Sequence, residues 1–365
     1  MTADALRRAG RRVLTATVLL ILLNASPGCG IGYVASSGTY QMELLNARVP
    51  LDEARQTGGL DAQELEALEL VEDVKRFGVG IGLAGTHNFE TVALDWDRTI
   101  YNVSACDPVS FEQKTWWFPI VGTVPYLGYF TRDDAIRAAR PLREEGWDVF
   151  VRTAGAYSTL GWFEDPLLRP MLKWDAYWLI NVVLHETTHA TVWVNGGVRF
   201  NESFAAFVGD VAAFRYIAAR HGEDSEAWAK ARAIVEDDDR WRRLLLDLYN
   251  ELDAVYNDPE LDVHDKVRRK LDLLSTLPRR ILRAHFHNAT PFLHAALDGK
   301  WNNARIAQFK DYNTARDHFA ALLDAQDGDL LAFVQAVQQL AEDADDPFVA
   351  LEAAATALPT EASAP

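Results

Sequence analysis

The composition of the chain is that of a folded, acidic protein. Of its 365 residues 49% are hydrophobic, with 11 Trp and 17 Phe, which supplies a large core and excludes a disordered chain. Acidic residues outnumber basic ones by 53 to 36, a net charge of -17, so the surface repels phosphate backbones and nucleic-acid binding is not expected. Two cysteines, Cys29 and Cys106, are too few for a disulfide framework or a thiolate metal site.

The first 28 residues indicate export. An apolar run at 13–23, too short to span a bilayer, follows four basic residues: Arg7, Arg8, Arg11 and Arg12. Residues 1–28 are therefore predicted to be a signal peptide, and Cys29 directly after them resembles the lipidated cysteine of a bacterial lipoprotein. Ser26 and Pro27 depart from the usual lipoprotein pattern, and the alternative is a free thiol after ordinary cleavage. We expect a location in the bacterial cell envelope, with a lipid anchor in a membrane and the chain facing the periplasm.

The pattern after the signal peptide predicts a mostly helical α+β fold. Residues 29–60 are expected to be a tether and lead-in, followed by one domain at 61–357 and a frayed tail at 358–365. A mixed-sheet lobe is predicted at 61–170 and a helical lobe at 171–357, with the active-site cleft between them.

Individual elements are also predicted. Asp61 and Glu64 form a capping box for a helix over 61–77. Two strands are expected on either side of a hairpin turn at 95–98, and Thr131 is expected to cap a helix. Further helices are predicted at 226–256, 262–288, 302–324 and 328–343.

One stretch has the spacing of a catalytic metal site. Residues 185–189 read His-Glu-Thr-Thr-His and follow an almost wholly apolar run. His185 and His189 share one face of a helix and can bind the same ion, while Glu186 can reach a water on that ion. A metal would also offset the cost of burying these polar groups. The alternative is a chance match on an amphipathic surface helix.

Glu202 is the predicted third ligand. A turn is expected at 195–197, and Asn201 is expected to be the N-cap of a helix that returns beside the first one. Two imidazoles, one carboxylate and an open position are typical of a catalytic zinc site, so one Zn²⁺ ion is expected as the cofactor. The alternative for Glu202 is an acidic residue that interacts with the helix dipole.

The segment 154–166 precedes the metal helix and mixes small, aromatic and polar residues. An exposed strand edge there would pair with a peptide backbone, and five residues are predicted to bind substrate: Tyr157, Ser158, Thr159, Leu160 and Gly161. Glu164 and Asp165 are candidate anchors for the α-ammonium group of a peptide. The alternatives are an aromatic loop that closes the core and a carboxylate pair that caps the turn at Pro166.

Together with the segment Asn201-Glu202-Ser203-Phe204-Ala205, the H-E-x-x-H stretch resembles gluzincin metallopeptidases of the thermolysin clan. More narrowly, residues 29–215 resemble a bacterial family of aminopeptidase lipoproteins. The segments that carry this resemblance are 117–122, 126–130, 156–163 with 165–167, 185–189 and 200–205, and a weaker likeness lies at 302–305.

The resemblance implies zinc ligation by His185, His189 and Glu202, with Glu186 as the catalytic carboxylate. Only twelve residues separate His189 from Glu202, fewer than in thermolysin-like enzymes, and Ala206 stands where those enzymes place an Asp. The hydrogen-bond partner of a zinc histidine is then sought elsewhere, and Asp210 is the candidate.

Gluzincins often supply a Tyr or His from the helical half to stabilise the oxyanion. Tyr312 is the candidate in this chain, and other candidates are His264, His285 and His287. The expected function is zinc-dependent hydrolysis of peptide bonds, as an aminopeptidase on peptides in the envelope. Two alternatives remain: an envelope endopeptidase, and a membrane-tethered metal-binding interaction protein without turnover.

Overall fold

The computed structural model describes residues 31–56, 59–96, 98–118, 122–153, 164–298 and 301–357, with the backbone alone at 31–37 and 122. The predicted signal peptide, Cys29 and the tail at 358–365 lie outside these ranges, as do five predicted substrate residues: Tyr157, Ser158, Thr159, Leu160 and Gly161. The fold is the mostly helical α+β class predicted from the sequence. Among the described helices, none has the length and apolar character needed to cross a membrane.

The elements of the first half are mainly strands. In chain order they are α1 (Ile31–Asn46), β1 (Arg48–Pro50), α2 (Leu51–Gln56), α3 (Ala62–Gly80), β2 (Thr91–Ala93), β3 (Tyr101–Cys106), β4 (Trp116–Phe118), β5 (Gly122–Val124), β6 (Tyr126–Tyr129), α4 (Arg132–Glu144), β7 (Asp148–Thr153), β8 (Leu167–Leu168) and a 3₁₀ helix (Arg169–Lys173).

In the second half, the regular elements among the described residues are all helices. Its helices are α5 (Ala176–Thr191), α6 (Val198–His221), α7 (Glu226–Tyr256), α8 (Val263–Ser275), α9 (Leu277–Arg283), α10 (Thr290–Leu297), α11 (Asn303–Tyr312), α12 (Arg316–Asp324), α13 (Leu330–Asp343) and α14 (Pro347–Ala357).

The strands form three small sheets, in the orders β1-β2-β8, β6-β3-β7 and β4-β5. The hairpin predicted across 95–98 is therefore wrong, because β2 and β3 belong to different sheets. Trp96 and Ile100 in the connection are both buried. Alternation of side chains encodes which face of a strand is buried but not which strand is its partner.

The end of the predicted tether belongs to the folded body. β1 pairs antiparallel with β2, with Val49 opposite Val92. Leu44 and Leu51 are fully or almost fully buried in the main core. The lead-in thus contributes a strand and core side chains, where the sequence suggested only docking of a few apolar residues.

Two predicted caps are confirmed, and the later helices are more broken than expected. Asp61 and Glu64 form the reciprocal capping box of α3, and the Thr131 side chain accepts from the backbone of Asp134 at the start of α4. The helix at 226–256 is confirmed as α7. The predicted helix 262–288 is divided into α8 and α9 at Pro278, which lacks a backbone donor. The prediction 302–324 is divided by Ala315, whose φ is 57°.

The core is centred on α5 and α6. Buried side chains of both helices join one large cluster with α3, α12 and α13. Phe204 of α6 contacts the rings of Phe319 and Phe333, at centroid distances of 5.5 and 5.9 Å. This packing fixes the two helices that carry the predicted metal ligands.

Candidate metal centre

Helix α5 presents its polar side chains from a largely buried position. Asp175 caps it by accepting from the backbone N–H of Tyr177 at 3.0 Å. Ile180 and Val183 fill the core on one side. His185 and His189 lie on another face, one turn apart, as the i and i+4 spacing predicts.

The connection from α5 to α6 is closed by Asn201. Helix α6 begins at Val198, so Asn201 is inside the helix and is not its N-cap as predicted. Its side-chain amide instead accepts from the N–H of Val194 and donates to the carbonyl of Val194, both at 2.9 Å. This double contact closes the loop. Because α6 begins at Val198, Glu202 lies in the second turn of the helix rather than the first.

Three predicted ligands meet at one point. The Nε2 atoms of His185 and His189 lie 3.2 Å apart, and Oε2 of Glu202 lies 3.5 Å from the first and 3.7 Å from the second. In the described part of the chain, these three residues are the one group of His, Cys, Asp and Glu side chains close enough together to hold an ion. The structure thus brings together the residues that the spacing selected.

Burial and charge favour an ionised carboxylate in this cluster. Burial raises the pKa of Glu202, but hydrogen bonds and charge from both histidines outweigh it and hold that pKa far below its usual range. Burial lowers the pKa of His185, whereas Glu202 and Glu186 raise it, and the net change is upward. Both shifts have the same cause, the close approach of the Glu202 carboxylate to the imidazoles in a buried position.

Two atoms beside the cluster are buried without a partner. They are Oε2 of Glu186 and Nδ1 of His189. A buried acceptor without a hydrogen bond is costly and calls for an explanation. A proton-carrying ligand at Glu186 would satisfy the first atom.

Tyr312 of α11 lies against His185, a predicted ligand. Their rings are nearly parallel, with centroids 6.3 Å apart. The Tyr312 hydroxyl accepts a hydrogen bond from Nη2 of Arg152 on β7, at 3.3 Å. Burial, together with the charge of Glu202, raises the pKa of Tyr312 well above its ordinary value, so its hydroxyl is a proton donor at neutral pH.

A contact between α6 and α11 positions Tyr312. Ser203, next to Glu202, donates from Oγ to the carbonyl of Asp311 at 2.6 Å. The Asp311 carboxylate is held by Gln113 at 2.8 Å and by Arg199 at 3.2 Å. Burial raises the pKa of Asp311 to about 6.

Asp210 has partners other than the one predicted. It accepts from Asn181 at 2.8 Å, from Arg242 at 2.9 Å and from Arg316 at 2.8 Å. No histidine is among its hydrogen-bond partners in the described residues. Asn181 lies one turn before His185 on α5, so Asp210 acts on the orientation of that helix rather than on the imidazole itself.

Helices α5 and α6 are in close contact at Gly209. A Cβ atom there would lie 3.1 Å from the carbonyl oxygen of Asn181 and 3.3 Å from Cβ of His185. The absence of a side chain at Gly209 is what permits this distance between the helix that carries the histidines and the helix that carries Glu202.

The contacts described for the other candidates are with residues outside the cluster of His185, His189 and Glu202. Asp165 is 1% exposed and its N–H donates to Asn88, while Glu164 is exposed beside Arg48, at 3.9 Å. Their role as anchors for the α-ammonium group of a peptide stays a prediction. Of the alternative histidines, His287 pairs with Glu236 at 2.7 Å, His264 is exposed near the start of α8, and His285 follows α9.

Sequence reasoning missed three residues of the site. Arg152 and Ser203 position Tyr312, and the ring of Trp193 lies edge-on to His189 with centroids 5.7 Å apart. Ser203 and Trp193 lie close to the motif and could have been considered. No local pattern marks Arg152, because its role depends on β7 and α11 meeting in space.

The donor set fits zinc. Two imidazole nitrogens and one carboxylate oxygen converge, all three residues are largely buried, and the carboxylate is ionised. Zinc takes such nitrogen and oxygen ligands and keeps a fourth position for water or substrate in catalytic sites. Glu186, adjacent in sequence to His185, has one buried carboxylate oxygen, Oε2, without a hydrogen-bond partner.

Comparison with known proteins shows the family of the chain. Residues 32–347 match the family described as "Putative aminopeptidase". No curated protein and no solved structure shows significant similarity to the chain. The matched region covers most of the sequence and contains His185, Glu186, His189, Glu202 and Tyr312. The chain therefore belongs to this aminopeptidase family, whose name implies peptide hydrolysis.

Proposed function

We propose that the protein is a zinc-dependent peptidase that removes residues from the free amino end of peptides. The convergence of His185, His189 and Glu202, next to Glu186 with its unpartnered Oε2, is the observation that carries the proposal. When bound, a zinc ion supplies Lewis acidity that polarises the scissile carbonyl and makes water more acidic. The histidines and Glu202 would hold that ion.

Glu186 is the proposed general base. Its buried Oε2 has no hydrogen-bond partner, so it is available to take a proton from the attacking water and to deliver it to the leaving amine. Glu202, with its pKa far below the usual range, stays ionised and does not compete for that proton.

Tyr312 is the proposed donor to the oxyanion. Its hydroxyl is protonated at neutral pH and is oriented by Arg152. A preorganised donor aimed at developing negative charge is worth more in a buried site than in water. The residue therefore adds to the charge stabilisation without taking part in ligation.

A glutamate substitution tests the base. Glu186→Gln keeps the shape of the side chain but removes the basic oxygen, so we expect zinc content to be unchanged and peptide hydrolysis to fall by a factor on the order of 10² to 10⁴. Glu69→Gln, an exposed glutamate on α3, is the matched control. Full activity of Glu186→Gln would remove Glu186 from the mechanism.

Paired substrates test the exopeptidase assignment. Peptides with a free amino terminus should be cleaved, and the same peptides with an acetylated amino terminus should not. Cleavage of the blocked peptides alone would favour an endopeptidase. Zinc binding without cleavage of any peptide in a broad library would favour a non-catalytic interaction protein.

We also propose that the protein acts in the cell envelope, anchored by a lipid at Cys29. The basic and apolar pattern of residues 7–23 supports export. Metabolic labelling with palmitate should mark the wild type and not Cys29→Ser. Labelling of both, or of neither, would contradict the anchor.

A further inference from the structure

A cavity of about 480 Å³ lies beside Tyr312. Side chains of β7, α7, α10 and α11 line it, and both Tyr312 and Arg152 belong to its wall. Because the Tyr312 ring also stacks on His185, the cavity adjoins the candidate metal centre. Its volume is in the range of small-molecule sites.

The wall of this cavity is positively charged. It contains Arg152 and Arg305, and none of the described residues that line it is acidic. This contrasts with the whole protein, whose net charge is -17. Arg305 is paired with Asp298 at 3.0 Å, whereas Arg152 has no carboxylate partner among the described residues. The charge of Arg152 is therefore available to an anion.

Two hydrogen-bond donors in the same wall lack acceptors. Nε of Arg152 and Nε2 of Gln308 are both buried and without a partner. Buried donors in folded proteins are nearly always paired. The two side chains therefore call for acceptors, and a carboxylate carries two acceptor oxygen atoms.

The rest of the wall is aromatic. The rings of Trp241 and Trp301 meet edge to face, with centroids 5.6 Å apart. The ring centroid of Phe292 lies 5.3 Å from that of Trp241. Such rings favour an apolar body that carries a charged end. The cavity is thus shaped for a carboxylate attached to an apolar or aromatic group.

We propose that this cavity binds a carboxylate group of the peptide substrate, with Arg152 as its cationic partner. As a statement about substrate, the inference rests on the proposed peptidase function. The carboxylate has two possible sources: the side chain of an acidic residue, or the free carboxyl terminus of a short peptide. Both would place negative charge one side chain away from the metal ligands.

A binding experiment tests the cavity without catalysis. The full chain is titrated with phenylacetate and with phenylacetamide, and tryptophan fluorescence reports Trp241 and Trp301. We expect the acid to bind at least about tenfold more tightly than the amide, because a charge-assisted hydrogen bond is lost with the amide. Equal affinities would overturn the proposal.

Variants and metal removal locate the bound acid. Arg152→Gln should abolish the preference for acid over amide and Gln308→Leu should weaken it, whereas Arg268→Gln, an exposed arginine of α8, should leave it unchanged. The titration is repeated after removal of zinc. A preference that vanishes with the metal would assign the carboxylate to the zinc site and overturn the proposal.

Two substrate pairs identify the source of the carboxylate. One pair compares an amino-terminal Glu with Gln, and the other compares a free carboxyl terminus with a carboxamide. The ratio of kcat/KM within each pair is compared between wild type and Arg152→Gln, so a general loss of activity in the variant cancels. If Arg152→Gln loses the preference for the acid in one pair, that pair identifies the source of the carboxylate. If the wild type shows no preference for the acid in either pair, the substrate role is overturned. If no peptide is cleaved, the proposed function fails while the binding result still decides the cavity.

Discussion

At the residue scale, the sequence was most informative where chemistry is local. His185, Glu186 and His189 could be selected from five letters, because a helix fixes their relative positions. Tyr312 was one of several candidates for the oxyanion donor, and only the stacking on His185 distinguishes it from the histidines. The partner of Asp210 could not be predicted, since its three donors come from three different helices.

Removal of the Tyr312 hydroxyl tests its role as a donor. In Tyr312→Phe we expect kcat and kcat/KM to fall together, by a factor on the order of 10² to 10³. Zinc content should stay that of the wild type, because the hydroxyl is not a ligand. Tyr249→Phe is a suitable control, since that ring stacks on Phe111 at 4.2 Å away from the cluster. Unchanged kcat in Tyr312→Phe would exclude the oxyanion role.

At the element scale, helices were easier to predict than strand pairing. α7 was correct at both ends because its cap and apolar stripe are local features. The pairing of β1 with β2 and of β3 with β7 joins distant segments, and no local signal encodes it. The prediction of Asn201 as an N-cap was wrong for a similar reason. Its side-chain amide makes two hydrogen bonds to the backbone of Val194 across the loop.

The close contact of α5 and α6 at Gly209 yields a prediction. Gly209→Ala should separate the helices by a few tenths of an ångström, at a net cost of about 1–2 kcal/mol, because the strain exceeds the gain in helix propensity. Zinc affinity should fall by roughly tenfold, as for other residues that orient metal ligands.

A second glycine provides the control for this substitution. Gly38, in α1, would meet no atom within 4 Å if it carried a Cβ. Gly38→Ala should therefore stabilise the protein by about 0.5–1 kcal/mol and leave zinc affinity alone. Chemical unfolding and competition with a chromogenic chelator measure the two quantities. Equal behaviour of both variants would mean that the helix contact does not set the metal site.

At the scale of the whole molecule, the fold class was predicted, but the packing of distant elements against one another was not. The 3.6-residue periodicity identified a mostly helical α+β protein. That pattern did not show that the lead-in supplies β1 and buries Leu51, or that β7 carries Arg152 to α11. Both features depend on contacts between segments far apart in the chain, and local sequence patterns do not encode such contacts.

Removal of the metal should lower the stability of the whole fold. A ligand that binds only the native state adds about 2.7 kcal/mol when its concentration is 100 times its Kd, so chelation should lower Tm by roughly 5 °C. Added zinc should restore it in the wild type and in Glu186→Gln. His189→Ala should show no response to chelator or to zinc. If neither chelator nor added zinc changes the Tm of the wild type, metal binding by the native state is refuted.

The positions of the ligands along the chain have a further consequence, for the order in which the site assembles. His185, His189 and Glu202 lie on one helix pair whose connection is closed locally by Asn201, and short loops cost little entropy to close. Tyr312 and Arg152 arrive only when distant segments dock, which is slower. We therefore expect a folding chain to bind its metal ion before Tyr312 and Arg152 complete the site for catalysis. Hydrogen-exchange labelling during refolding would show this as zinc-dependent early protection confined to α5 and α6.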